Sequence, residues 1–211
     1  IKLIKATPLT DGTTKNFSWD YKVNNGSGSY DNIWATITSG NYSDSLTSGS
    51  QLMKLLNDGA WVSGTSGSYY NGSTTATTVN FTNYKLSDVA KRHITLGIYY
   101  LGGYNNDSPL TNEMYPSDYG YAAGNNCVSG TKLDDYDRGC MNKDWLYISN
   151  TEQWLMSPDS DYSGFVFYVV SSGFVNHYND SSFSFAVRPV FFLNSEVING
   201  DGTLNKPYIL K

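Results

Sequence analysis

The sequence predicts an α+β fold, with two helices in the first half of the chain and antiparallel strands in the second. Residues 48–59 and 86–103 show the apolar spacing of helices, whereas 163–178 and 185–193 are apolar runs bounded by turn residues. Helices followed by strands that are joined through tight turns are typical of this class. No fixed-period repeat and no linker divides the 211 residues, so we expect a single domain over 1–211.

The N-terminal quarter predicts little regular structure. IKLIKA (1–6) alternates like a short strand, and FSWDYK (17–22) is a short aromatic segment. Residues 24–50 are rich in Gly, Ser and Asn, and they predict a long loop with one short strand around Ile33–Ile37.

Two segments predict helices. In SGSQLMKLLNDG (48–59) a serine can cap the start and a glycine follows the end. Residues 86–103 predict a second helix, capped by Ser87. Between them, residues 62–78 have low complexity and predict a flexible or loop-bound segment. The first helix carries its apolar stripe at i, i+3 and i+4, on Leu52, Leu55 and Leu56.

The C-terminal third predicts a β-meander. SGFVFYVVSSGFVNHY (163–178) predicts a hairpin around a Ser-Ser-Gly turn, and its first strand is apolar on both faces, as in a strand covered from both sides. We expect 179–184 to be a loop, 185–193 the next strand and 208–210 the last strand, which closes the sheet after the GDGT turn at 200–203.

The Arg188-Pro189 pair interrupts the predicted strand 185–193. Pro189 lacks an N–H and therefore belongs at a sheet edge or a bulge. Arg188 has five donors that suit backbone carbonyls or a carboxylate. We expect a structural arginine that holds the irregular loops against the sheet, with an anion-binding arginine as the alternative.

Composition and motifs make several functional classes improbable. The net charge of −5 disfavours a nucleic-acid partner, and no apolar run approaches the 18 residues of a membrane span. The common hydrolase, nucleotide-binding and zinc-protease motifs are missing, and the chain has two histidines, His93 and His177. We therefore expect no enzyme activity and no required cofactor, and His177 suits a binding role because it adjoins a predicted loop.

Asp159 and Asp161 begin a stretch that starts like a calcium-binding loop. The twelfth position of an EF-hand loop needs Glu, but this chain has Val170 there, which excludes an EF-hand. A looser calcium site and an Asp-rich turn both remain open, and we assign no metal ligand.

Cys127 and Cys140 lie in one polar, loop-like segment, which favours a disulfide and an oxidising, extracytoplasmic setting. Two unpaired thiols or half of a metal site are the alternatives.

Several segments, in order along the chain, carry a resemblance to a known family. They resemble the C-terminal ligand-type domain of pilin-like and other surface proteins of Gram-positive bacteria. FSWDYK and QLMKLLN fit the same pattern. The segments are MYPSDYGYA (114–122), NKDWLY (142–147), QWLMSP (153–158), VFYVVSSGFV (166–175), VRPVFFLNS (187–195) and GDGTLNKPYIL (200–210).

The resemblance implies a C-type-lectin-like fold, with two helices, a twisted antiparallel sheet and long irregular loops. That fold is related to those of formylglycine-generating enzymes and of the variable proteins of diversity-generating retroelements. It further implies display at the cell surface, binding in place of catalysis, and pairing of Cys127 with Cys140. Family members usually have a strand before the IKLIKA strand and often a hydrophobic pilin helix. We therefore expect Ile1–Ala6 either to pair with the C-terminal strands or to borrow a strand from another chain.

A binding site is predicted on the loops around the hairpin 163–178. Tyr, Asn and Ser predominate there, as they do in antibody paratopes, although polar loops that merely join strands would look alike. The candidate residues are Tyr162, Asn176, His177, Tyr178, Asn179, Asp180 and Phe183.

Three functional hypotheses follow. The first is an extracellular, surface-displayed binding or adhesion module of a pilin-like protein, with an unknown protein or carbohydrate ligand. The second is a structural subunit that self-associates into an extracellular filament. An enzyme of a lectin-type fold is the third, and the missing reactive cysteine counts against it.

Overall fold

The structure is a computed structural model of the chain. It describes residues 2–19, 22–24, 30–32, 51–57, 60–70, 76–95, 99–101, 104–106, 119, 146–158, 165–180, 183–193, 198–200, 206 and 209–210. The described part mixes short helices with antiparallel strands, as the α+β prediction requires.

The chain starts with strand β1 (Lys2–Ile4), which pairs antiparallel with β14 (Val190–Leu193). Of the two options for Ile1–Ala6, pairing with the C-terminal strands of the same chain is the one observed. β7 (Ile94–Thr95) pairs with the other side of β14, which makes β14 the centre of a three-stranded sheet.

The next elements are short. β2 (Phe17–Ser18) pairs with β13 (Ser184–Phe185), and β3 (Lys22–Asn24) pairs with β4 (Tyr30–Asn32). The strand predicted around Ile33–Ile37 lies outside the described residues.

The first predicted helix is present and the second only in part, because the helix predicted over 86–103 ends at His93 and is followed by strands at Ile94–Thr95 and Tyr99–Leu101. The described residues add a third helix. α1 (Gln51–Asn57) buries Leu52, Leu55 and Leu56, as the predicted stripe requires. α2 (Ala60–Ser63) adds one helical turn. α3 (Asp88–His93) begins after Ser87, whose Oγ accepts the N–H of Ala90 at 3.1 Å, so the predicted cap is confirmed.

The prediction of a flexible segment over 62–78 is wrong. The chain forms a hairpin there from β5 (Ser66–Tyr70) and β6 (Ala76–Asn80). Small polar residues hide the alternation, because the hairpin buries Tyr69 and Val79 while Ser66, Ser68 and Thr78 are exposed on the other face. Gly67 fits under the helices, since a Cβ at that residue would stand 2.6 Å from the Ala60 Cβ.

The predicted hairpin 163–178 is confirmed, and it carries the candidate site. β11 (Phe165–Val169) lies between β10 (Gln153–Pro158) and β12 (Val175–Asp180) in a three-stranded antiparallel sheet. Tyr168 packs into the larger core cluster, whereas Val169 packs into the smaller one. β11 is therefore covered on both faces, as its sequence predicts.

Two predictions for the C-terminal region need correction. The single strand expected over 185–193 is divided into β13 and β14, because Pro189 interrupts the ladder before Val190. β14 is a central strand, so the proline stands at a strand start and not at an edge. The last strand, β16 (Ile209–Leu210), pairs with β15 (Ile198–Asn199) in a two-stranded ladder and does not close the larger sheet.

β8 (Tyr99–Leu101) and β9 (Tyr104–Asn106) form a further ladder. The core has two parts. The larger cluster gathers side chains from the helices, the β5–β6 hairpin and one face of β11; its largest fully buried members are Trp61, Trp154, Phe17 and Phe81. The smaller cluster covers the opposite face of β11 and consists of Tyr119, Leu146, Leu155, Val169, Val175 and Val190.

Candidate functional site

β12 carries most of the predicted site residues, on an outer strand of its sheet as far as the described residues show. The loop expected over 179–184 is corrected here, because the strand continues to Asp180. Val166 pairs with Asn179 and Tyr168 pairs with Asn176, so two residues of β12 stand opposite Phe167. This bulge changes the alternation of side chains along the strand.

His177 sits in the bulge and stacks on Phe167. The ring centroids are 5.4 Å apart and the planes are inclined by 24°. The backbone N–H of His177 donates to Oδ1 of Asn176 at 2.8 Å. Because bulges and occupied N–H groups blunt strand edges, β12 is a poor template for an added strand at this residue.

Phe183 is an exposed aromatic residue of the candidate site, with 55% of its surface accessible. Its ring stacks on Phe185 at 6.4 Å, and Phe185 in turn contacts Tyr168 at 5.0 Å and Trp154 at 4.4 Å. Trp154 is fixed by its Nε1–H, which donates to the Phe17 carbonyl at 2.8 Å. Phe183 is thus the outermost ring of a series that begins in the core.

The structure does not bring His177 and Phe183 together on one face. His177 rests on Phe167, whereas Phe183 reaches Tyr168 through Phe185. Phe167 packs on the smaller core cluster and Tyr168 belongs to the larger one, so the two candidate residues lie toward opposite faces of β11. The predicted single patch is therefore two surfaces.

The remaining candidates have different outcomes. Tyr178, Asn179 and Asp180 lie on β12, with Asp180 opposite Phe165. Several sequence predictions fall outside the described residues, namely those for Tyr162, Asp159, Asp161, Cys127 and Cys140.

Two tyrosines that the sequence argument missed hold the turn before β12. Gly173 has φ = +100°, a conformation that favours glycine, and its N–H donates to the Val170 carbonyl at 2.9 Å. The hydroxyl of Tyr119 donates to the Gly173 carbonyl at 2.8 Å, and that of Tyr147 to the Ser171 carbonyl at 2.9 Å. Sequence distances of 54 and 24 residues leave no local pattern that could reveal these bonds.

Arg188 is buried, with 4% of its surface accessible. Its Nε donates to the Lys5 carbonyl at 2.9 Å and its Nη1 to the Leu146 carbonyl at 2.7 Å. The Lys5 N–H donates to the Pro189 carbonyl at 2.9 Å, one step beyond the last ladder pair of β1 and β14. Pro189 has no N–H to return to Lys5, and the Arg188 side chain supplies that donor instead.

A second cation adjoins Arg188. Burial, and next the charge of Arg188, lower the pKa of Lys5 below its ordinary 10.5. The Lys5 Nζ donates to neutral oxygens of Thr7 and to the Pro8 carbonyl. These Nζ contacts are local, whereas the backbone of Lys5 joins the start of the chain to Arg188 and Pro189, the segment before β14.

Among the described residues, no three His, Cys, Asp or Glu side chains gather as a metal site would need. The helices in the described ranges are each too short or too polar to cross a bilayer. No family model, curated protein or solved structure matches this chain.

Proposed function

We propose that this chain is an extracellular, surface-displayed binding module of a pilin-like protein with a C-type-lectin-like fold. The exposed ring of Phe183 carries the proposal. The α+β architecture and the order of the segments quoted above are compatible with that family. Its ligand is an unidentified protein or carbohydrate outside the cell.

Phe183 has the properties of a binding anchor. Its stacking on Phe185 leaves the ring exposed but supported from below, so little conformational freedom is lost when a partner covers it. Rigid aromatic residues at the centre of an interface contribute much of its binding energy.

Point variants test the site better than a loop replacement would. Residues 176–180 pair with β11, so exchanging 176–184 for Gly and Ser would test folding and not binding. We would measure binding of the wild type, Phe183→Ala and His177→Ala to arrays of oligosaccharides and extracellular-matrix proteins. Tyr84→Ala is the matched control, because Tyr84 is the other large exposed aromatic residue among the described residues, with 45% accessible.

We expect Phe183→Ala to weaken binding about tenfold or more, as truncation of an aromatic hot spot does. Tyr84→Ala should leave the affinity within about twofold of the wild type. Equal affinities of Phe183→Ala and Tyr84→Ala would contradict the proposed site. A wild type that binds no array member but sediments as a concentration-dependent polymer would favour the filament subunit.

A further inference from the structure

We infer that Tyr119 and Tyr147 are positioning residues, which hold the β11–β12 turn and thereby set the orientation of His177 on β12. The effect on ligand binding rests on the proposed function, whereas the effect on His177 does not. Neither tyrosine belongs to the predicted site.

The two hydroxyls act on one short turn. Ser171 and Gly173, whose carbonyls accept the two bonds, are two residues apart at the tip of the hairpin. Tyr119 is fully buried in the smaller core cluster, and Tyr147 packs against the same cluster. The turn is therefore bound from one side to side chains that lie outside the hairpin.

The position of the turn determines how β12 begins. Val175 pairs with Val169 and Asn176 with Tyr168 in regular register, and the bulge follows directly at His177. A displaced turn would shift this register, and a shift of one residue moves a side chain to the other face. The stacking of His177 on Phe167 therefore depends on the turn staying in place.

Phe167 links the tyrosines to His177 through packing as well. Phe167 and Tyr147 both pack against the cluster that contains Tyr119, and His177 stacks on Phe167. The ring under His177 and the tyrosines that hold the turn therefore pack in the same core cluster.

The test compares Tyr147→Phe and Tyr119→Phe with the wild type by NMR. The ring protons of His177 should be shifted upfield in the wild type by the Phe167 ring. We expect Tyr147→Phe to move these signals toward their unstacked values and to speed amide exchange of Gly173 about tenfold. Tyr84→Phe is the control, because the Tyr84 hydroxyl makes no hydrogen bond to the described residues.

Unchanged His177 ring shifts and unchanged Gly173 exchange in Tyr147→Phe would overturn the inference. Because Tyr147 is partly exposed, we expect Tyr147→Phe to fold like the wild type, whereas Tyr119→Phe alters a buried site. If the ring shifts move but the wild type binds no array member, the positioning role stands and the proposed function fails. If a ligand is found through the arrays, Tyr147→Phe should weaken binding to the His177 face and leave the contribution of Phe183 unchanged.

Discussion

Replacing Arg188 by Met tests why the chain has an Arg-Pro pair ahead of β14. The variant keeps a long apolar stem but removes the donors to the carbonyls of Lys5 and Leu146. The Leu146 carbonyl keeps a second donor, since Nε2 of Gln153 lies 3.3 Å away. The Lys5 carbonyl has no ladder donor, because Pro189 opposite it lacks an N–H, and it accepts from the Arg188 Nε instead.

The expected cost follows from this count. A hydrogen bond from a charged donor contributes about 1.5–3 kcal/mol, and among the described residues the Lys5 carbonyl is left without its donor. Removal of a buried charge offsets part of this loss, so we expect the free energy of unfolding to fall by about 2 kcal/mol. Urea unfolding followed by Trp fluorescence measures the difference, with the exposed Arg92→Met as the control.

A double-mutant cycle sharpens the test. Pro189→Ala restores a backbone N–H opposite Lys5, so it should recover about 1 kcal/mol in the Arg188→Met background and cost stability in the wild type. Arg188→Met should also raise the pKa of Lys5 toward 10.5, since the neighbouring charge is gone. Unchanged stability of Arg188→Met with loss of ligand binding would refute the structural role and identify an anion-binding arginine.

Three further outcomes are expected. Gly67→Ala should cost about 1–3 kcal/mol, because its Cβ would meet the Ala60 Cβ, whereas Ser68→Ala on the outward face should be nearly neutral in the same urea assay. Burial raises the pKa of Asp11, but N–H bonds from the backbone outweigh it and hold the pKa below 3.8. The Asp11 carboxylate therefore stabilises the fold above pH 3.8, and this stabilisation is lost as the pH falls through the folded-state pKa. Asp11→Asn should lower the free energy of unfolding slightly at pH 7, because solvent screens this exposed carboxylate, and the difference should shrink in acid. Intact-mass analysis after alkylation should show no free thiol before reduction, and reducing the predicted disulfide between Cys127 and Cys140 should cost about 3 kcal/mol.

Each of these three predictions has an outcome that would contradict it. A Gly67→Ala variant as stable as Ser68→Ala would mean that the helices can move away from the hairpin. A constant difference between the wild type and Asp11→Asn from pH 7 to pH 2 would exclude the carboxylate as its cause. Alkylation of both thiols without reductant would favour the unpaired alternative.

The elements that sequence patterns predict well are those held by neighbours along the chain. The leucine stripe of α1, the Ser87 cap of α3 and the glycine turn between β11 and β12 each depend on contacts within about four residues, and all three are present. The apolar residues on both faces of β11 likewise predicted a strand covered on two sides, since a side chain's face follows from the period of two.

The features decided by distant contacts could not be read from local patterns. The close approach of Gly67 to Ala60 and the replacement of the missing Pro189 donor by the Arg188 side chain are two such features. His177 and Phe183 lie toward opposite faces of β11, although only five residues stand between them in the sequence. Short-range spacing predicted the elements whose stabilising contacts are local, such as α1 and the cap of α3. Packing between segments far apart in the chain selects the register, the bulge and the side chains that remain exposed.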